Sequence, residues 1–349
     1  MNETTGEITD TNTEPLPWHG AQWSQLCRAL SNEQLAHAYL LSGNEGLGKS
    51  LFADAFARYA LCLNPIAGKL ADSRIACGSC ANCIKGGAGN HPDILRIEIE
   101  EGSKNIKIDQ IRRLSEFVIR SSHSGGAKIV ILSHAHLLNA NAANALLKTL
   151  EEPVDNTHVI LVSDHPGRLV ATIRSRCQKL AFQTPSTDIA AAWLSEITGS
   201  ANVDSLLEAS DNRPLVALQM AEGDSLQSRA QFLSSICELK SGSKSIQQVL
   251  ALTEKDGESD VLRHFSTFLS KLTKYSLTGV RENDPALENM YDLVVAPVEK
   301  LAEQRVAGSI ARFYTEVETA RRQLASSTNP NPQLIMESIL WQWSKLKLS

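Results

Sequence analysis

The sequence predicts a doubly wound α/β domain built around a phosphate-binding loop, followed by two all-helical domains. Three observations predict this. Short apolar runs alternate with amphipathic stretches from Trp18 to Gln183, the pattern of buried parallel strands separated by helices. The first of these runs leads directly into a G-x-x-x-x-G-K-[ST] motif. Beyond Pro185 the strand signal stops and only helical patterns remain.

The elements follow in order. Residues 1–17 are polar and acidic, rich in Thr, Asn, Glu and Pro, and are expected to form a disordered tail. Residues 18–184 form the α/β domain, with strands expected at Ala38–Ser42, Ile94–Ile99, Lys128–Leu132 and His158–Val162, and a weaker one at Lys179–Phe182. Ile108, Ile111, Leu114 and Val118 recur at three- and four-residue spacing, and Asn139–Glu152 is rich in Ala and Leu; both are helical signatures. Residues 185–223 are expected to hold two or three short helices as a small lid domain. In 224–349, helical stretches are separated by turn clusters such as Ser241-Gly242-Ser243 and Asn283-Asp284-Pro285. The last helix opens at Asn331-Pro332, a cap followed by proline at the first helical position. Its Met336, Ile339, Leu340, Trp343 and Leu346 form one apolar stripe.

At 349 residues the chain is too long for a single core and fits two or three domains. Its 42% hydrophobic and 21% charged residues are those of an ordinary globular protein. A net charge of −5 argues against wholesale coating of nucleic acid but leaves room for a local basic patch. Arg112, Arg113 and Arg120 on one helix are such a patch, although clusters of this size are usually a solvated face. No apolar run reaches the roughly 20 residues needed to span a bilayer. The start of the chain also lacks the basic-then-apolar pattern of a secretory signal. A cytoplasmic location is therefore expected, with the seven cysteines as reduced thiols.

Gly43-Asn44-Glu45-Gly46-Leu47-Gly48-Lys49-Ser50 fits the phosphate-loop motif and lies between an expected strand and an expected helix. Gly43, Gly46 and Gly48 let backbone N–H groups curl around phosphate oxygens. Lys49 reaches toward the β- and γ-phosphates of ATP, and the Ser50 hydroxyl toward Mg²⁺. Hydrolysis also needs a carboxylate at the end of a neighbouring strand. The obvious strand, Lys128–Leu132, runs into Ser133-His134-Ala135-His136 with no acid. The expectation is a loop that holds ATP and Mg²⁺ without hydrolysing it, the two histidines merely filling the vacated place.

Cys77-Gly78-Ser79-Cys80-Ala81-Asn82-Cys83 is C-x-x-C-x-x-C, and Cys62 precedes it across a short loop. Four thiolates satisfy tetrahedral Zn²⁺, and a closed Cys₄ shell is structural rather than catalytic. An inserted zinc module over 62–84 is expected, metal binding supplying the folding energy this segment otherwise lacks. Three cysteines at this spacing also fit iron–sulfur ligation, but a cytosolic phosphate-loop setting offers no redox partner. Cys27, Cys177 and Cys237 are isolated and read as small buried apolar residues.

Several longer motifs accompany these. They are Ala36-His37-Ala38-Tyr39-Leu40-Leu41, Asn90-His91-Pro92-Asp93, Asn144-Ala145-Leu146-Leu147-Lys148-Thr149-Leu150-Glu151-Glu152-Pro153 and Ile173-Arg174-Ser175-Arg176-Cys177. Together they closely resemble the clamp-loader ATPases of the AAA+ class. The resemblance covers nearly the whole chain and is strongest from Ala36 to Phe182. It implies an AAA+ type parallel-sheet domain, a small helical domain and an all-α C-terminal collar. It also implies membership of a five-subunit ring that opens a sliding clamp and closes it on primed DNA.

Within such a ring the resemblance implies delta and gamma/tau subunits as partners, indirect contact with the sliding clamp, and contact with primer–template DNA through its backbone. Ser175-Arg176-Cys177 matches the motif that lends an arginine to a neighbour's ATP site, making Arg176 the candidate trans-acting finger. Without that motif a structural arginine paired with a carboxylate is the expectation. Ser163 falls at the family's polar sensing position. Arg213 lies near the second sensing arginine but is shifted, with Leu215 closer to that place. Motor subunits carry an Asp-Glu pair where this chain has Ser133-His134, so the resemblance implies a non-motor stator that is not catalytic alone within a DNA-polymerising holoenzyme. The alternative is an ATP-hydrolysing motor, supported by the intact Lys49 and Ser50.

Overall fold

In the computed structural model, residues 14–70, 73–100, 102–199, 203–221, 225–253, 257–281, 300–324 and 330–348 are described. The chain divides into two compact units, Met1–Ala201 with Asn212–Gln219, and Asn202–Asp211 with Met220–Ser349. The stretch 185–223 is thus shared between them.

The first unit is built on five parallel strands: β1 (Ala38–Ser42), β4 (Ile94–Ile97), β5 (Lys128–Leu132), β6 (Thr157–Ser163) and β7 (Gln178–Ala181). Their order is β4-β5-β6-β1-β7, so β1, which feeds the phosphate loop, lies between β6 and β7. The near-continuous apolar runs follow from burial on both faces. Tyr39, Leu41, Ile129, Ile131, Ile160 and Val162 join a core with Trp23 and Leu26 of α1 (Gly20–Ser31) and Phe52 and Phe56 of α2 (Lys49–Ala60). The alternate residues Leu40, Val130, Leu132, Val159 and Leu161 face a second core. It is completed by α4 (Ile108–Ile119), α5 (Ala140–Glu151) and α6 (Ala171–Arg176). The spaced Ile111, Leu114 and Val118 are that core's contribution from α4.

Three local features depart from the sequence expectation. β4 stops at Ile97, two residues short of the expected Ile99. A two-residue hairpin, β2 (Ile66–Ala67) with β3 (Arg74–Ile75), and a short helix α3 (Ala81–Gly87) organise the cysteine segment. Of the tail expected to be disordered, residues 1–13 lie outside the described residues, but its end is ordered. Leu16 is buried and Pro17–His19 forms a 3-10 turn. One leucine among polar residues finds an apolar site, a tertiary effect invisible to composition.

The Asn90–Asp93 motif has a structural explanation. The buried Asp93 carboxylate accepts the backbone N–H of His123 at 2.7 Å and of Ser124 at 2.9 Å, tying the 121–127 loop to the start of β4. Burial raises the carboxyl's proton affinity, but these hydrogen bonds outweigh it and hold the pKa below the ordinary aspartate value. Lys128, at the start of β5, donates its ammonium to the carbonyls of Phe117, Val118 and Arg120 and so closes the C-terminus of α4.

The second unit is helical, with α8 (Val203–Ala209), α10 (Ser225–Ser241), α11 (Ile246–Thr253), α12 (Glu258–Thr278), α13 (Lys300–Leu324) and α14 (Pro332–Lys345). Two further helices, α7 (Thr187–Thr198) and α9 (Pro214–Ala221), complete the chain order. Asn331 caps α14 through its side-chain oxygen, which accepts from Gln333 N at 3.0 Å. The expected stripe of Met336, Ile339, Leu340 and Trp343 is buried against Phe265, Phe268, Phe313 and Val317. Fully buried Trp343 donates its indole N–H to the Ile236 carbonyl at 2.8 Å. Among the described residues no helix is long and apolar enough to cross a membrane.

Candidate phosphate loop, cysteine cluster and arginine motif

The phosphate loop leaves β1 at Ser42 and enters α2 at Lys49. Gly46 and Gly48 have φ values of 81° and 80°, a left-handed backbone that glycine adopts without strain. Close packing adds a second demand. A Cβ at Gly46 would lie 2.5 Å from Val216 Cγ2, and one at Gly48 would lie 2.4 Å from Leu16 Cδ1. Gly43 is pressed against the Phe182 carbonyl in the same way. The Leu47 carbonyl accepts from Trp18 Nε1 at 3.0 Å and from His19 Nε2 at 2.7 Å, so the segment before α1 braces the loop. Burial lowers the pKa of His19 to about 4, the Leu47 hydrogen bond opposing and the Lys49 charge reinforcing that shift.

Lys49 is 3% exposed. Its ammonium lies 2.6 Å from Asp164 Oδ1 and donates to the Asn44 carbonyl at 2.5 Å. Ser50, His134, Asp164, Leu215 and Val216 line a cavity of about 170 Å³ beside it, below the range of about 300–1,000 Å³ usual for small-molecule sites. Leu215 faces the loop and donates its N–H to the Gly46 carbonyl at 3.2 Å. Arg213 is not among the residues lining the cavity.

The acid beside the loop is Asp164, after β6, and not at the end of β5 where the sequence leads one to look. The signal was present in Val162-Ser163-Asp164. Recognising it required knowing that β6 pairs with β1, the register setting Ser163 beside Ser42. Ser163 itself is fully buried, its hydroxyl 3.4 Å from His136 Nδ1 and not lining the cavity. His134 stands at the end of β5 with a left-handed φ of 52° and does line the cavity. His136 packs edge-on between His134 and His165, with ring centroids 6.1 and 5.1 Å apart. Burial lowers its pKa to about 4; the Asp164 charge opposes this and the neighbouring histidines add to it.

The four predicted cysteines come together. The sulfurs of Cys62, Cys77, Cys80 and Cys83 all lie within 4.8 Å of one another. Separations of 4.0 Å for Cys62–Cys80, 3.8 Å for Cys77–Cys83 and 3.5 Å for Cys62–Cys83 bracket the spacing of about 3.8 Å set by a tetrahedron of 2.3 Å Zn–S bonds. Backbone N–H groups of Cys77, Cys80 and Cys83 point at the sulfurs of Cys62, Cys77 and Cys80, at 3.3, 3.3 and 3.5 Å. Hydrogen bonds from Ser79 and Cys80 bring the Cys77 thiol down to about 6, toward the thiolate a metal requires, whereas burial pushes the Cys62 and Cys83 thiols up. Four sulfurs, with no further donor among the described residues, fit a thiophilic divalent ion such as zinc. Cys27, Cys177 and Cys237 are buried in the apolar cores.

Arg176 ends α6, one-third exposed. Its Nη2 lies 2.6 Å from Glu151 Oε1 and its Nη1 donates to the Thr172 carbonyl at 2.9 Å. The two most specific motifs therefore meet, Glu151 from Asn144–Pro153 and Arg176 from Ser175–Cys177. Arg176 does not line the cavity beside Lys49. Arg112, Arg113 and Arg120 each pair with an acid, Asp109 at 2.8 Å, Glu100 at 3.2 Å and Glu116 at 3.9 Å, as on a solvated face.

Sheet order, loop and cysteine cluster define a phosphate-loop α/β protein carrying a metal-type Cys₄ site. The family model described as "DNA polymerase III, delta subunit" matches residues 18–186, and "DNA polymerase III, delta subunit, C terminal" matches 223–345. The DNA polymerase III subunit delta′ of Pseudomonas aeruginosa is 32% identical over 338 residues, spanning 95% of this chain and 97% of that one. The subunit delta′ of Escherichia coli is 31% identical, spanning 93% of each. The subunit tau/gamma of Haemophilus influenzae is 35% identical over 163 residues, covering 47% of this chain and 22% of that one. This chain belongs to the DNA polymerase III subunit delta′ family.

Proposed function

We propose that the chain is a non-motor stator of a bacterial DNA polymerase III clamp loader, assembling with delta and gamma/tau subunits in the cytoplasm. It helps place the sliding clamp on primed DNA and lends Arg176 to a neighbour's ATP site. The observation that carries this reading is the division of the catalytic parts. Lys49 is engaged within its own fold, the end of β5 offers Ser133 and His134 in place of an acid, and Arg176 stands partly exposed outside its own cavity. An arginine so placed acts on charge that develops in another subunit's site. Its pairing with Glu151 is a resting state, since a half-exposed ion pair is worth about 0–1 kcal/mol and exchanges readily for a phosphate.

The phosphate loop holds ATP and Mg²⁺ through Gly43, Gly46, Gly48, Lys49 and Ser50 without turning it over, and Ser163 lies behind it at a sensing position. Cys62, Cys77, Cys80 and Cys83 hold a structural Zn²⁺. Any contact with primer–template DNA is to its backbone. A second reading, an ATP-hydrolysing motor, is favoured by one observation: the Asp164 carboxylate lies beside Lys49, directly after the strand next to β1. Steady-state ATP hydrolysis by the purified chain, with Lys49→Ala as control, separates the two. The stator predicts turnover no greater than that of the control. Turnover abolished by Lys49→Ala establishes the motor.

A further inference from the structure

We infer that Asp164 is an internal ligand of the phosphate loop: its carboxylate takes the place on Lys49 that a nucleotide phosphate would occupy, so nucleotide binds only by displacing it. This inference rests on the reading that the loop can hold nucleotide and adds what limits that binding.

An ammonium as buried as that of Lys49 needs a counter-charge, because an unpaired ion is strongly disfavoured away from water. Asp164 at 2.6 Å supplies it, and the Asn44 carbonyl at 2.5 Å takes a second of the three protons. Phosphate loops place nucleotide oxygens at this same ammonium. The carboxylate is held in position by the sheet. Asp164 follows the last residue of β6, whose pairing with β1 sets Ser163 beside Ser42, so the acid and the loop leave one rigid edge together. Competition therefore comes from a preorganised anion rather than from a wandering side chain.

The cover over the loop agrees. Leu16 and Val216 crowd Gly48 and Gly46, and the remaining cavity of about 170 Å³ is too small for a nucleoside triphosphate. Neutralising Asp164 leaves Lys49 buried and uncompensated at the N-terminus of α2, where an entering phosphate is the best available partner. A carboxylate serving instead as a Mg²⁺ ligand demands the opposite: its removal weakens binding.

Calorimetric titration of the full chain with ATP and Mg²⁺ decides between these. Wild type, Asp164→Asn and the double variant Asp164→Asn with Lys49→Met are compared. Asp164→Ser is measured alongside, so that a poorly folded asparagine variant does not decide the matter, and thermal unfolding checks every protein. The expected result is affinity at least about tenfold tighter in Asp164→Asn and Asp164→Ser than in wild type, lost in the double variant. Equal affinity in wild type and the single variants overturns the internal ligand while leaving the nucleotide reading intact. Weaker binding in the single variants also overturns it and makes Asp164 a cation ligand. No binding by any folded variant sinks the nucleotide reading and this inference together.

Discussion

At the residue scale, ionisable side chains are buried around the phosphate loop with named partners, although the Nδ1 of His19 is buried without one. Lys49 has Asp164 and the Asn44 carbonyl; His19 has the Leu47 carbonyl and an apolar surround of Phe52 and Phe182. The histidine yields a prediction with a definite sign. Its folded pKa of about 4 lies below the ordinary 6.5, so the folded state favours the neutral ring. Stability from this group is full above pH 6.5. It falls as the pH drops from 6.5 to about 4, because the unfolded chain takes up the proton first. The loss approaches about 3 kcal/mol by pH 4, from roughly 2.5 units at 1.36 kcal/mol each. Urea unfolding across that range, in wild type and His19→Gln, checks this. The glutamine variant should lose less stability on acidification, and equal pH slopes would sink the assignment.

At the element scale, the cysteine segment is the part most dependent on something other than its own packing. Its strands are two residues each, its helix seven, and Leu63, Ile66 and Ile84 are exposed around it. Chelation should therefore release one metal ion per chain and unfold 62–84 locally, while the main sheet persists. Hydrogen exchange before and after chelation reads this directly. Protection in 62–84 that survives metal removal would show that the hairpin and α3 stand on their own.

Legibility of the elements followed the same physics. β1, β5 and the core face of α4 were readable because burial on both sheet faces leaves continuous apolar runs and helix packing leaves a spaced stripe. Cys62 and the C-x-x-C-x-x-C run were readable because metal geometry constrains spacing. The order of Leu16, the brace from Trp18 and His19, and the partnership of Lys49 with Asp164 were not. Each depends on residues far apart in sequence, or on strand order, which local pattern does not encode. The Arg176–Glu151 pair lies between: both residues sit in recognisable motifs, and only the fold shows that they touch.

At the scale of the whole molecule, the chain divides into two compact units. The sheet unit carries the loop, the cysteine cluster and Arg176. The helical unit carries a large core that includes Phe265, Phe268, Phe313 and Trp343. The division of labour proposed for the chain, holding nucleotide poorly in its own loop while serving a neighbour's site, depends on the side chain of Arg176. The measurement that tests it most directly is primed-DNA-dependent ATP turnover by a loader reconstituted with delta and gamma/tau partners, containing either wild type or Arg176→Ala. Assembly should be unchanged, and turnover and clamp loading should fall roughly tenfold or more, the effect expected for a lost arginine finger. Normal turnover in the assembled Arg176→Ala complex would contradict this, leaving the Arg176–Glu151 pair as structure and the subunit as scaffold.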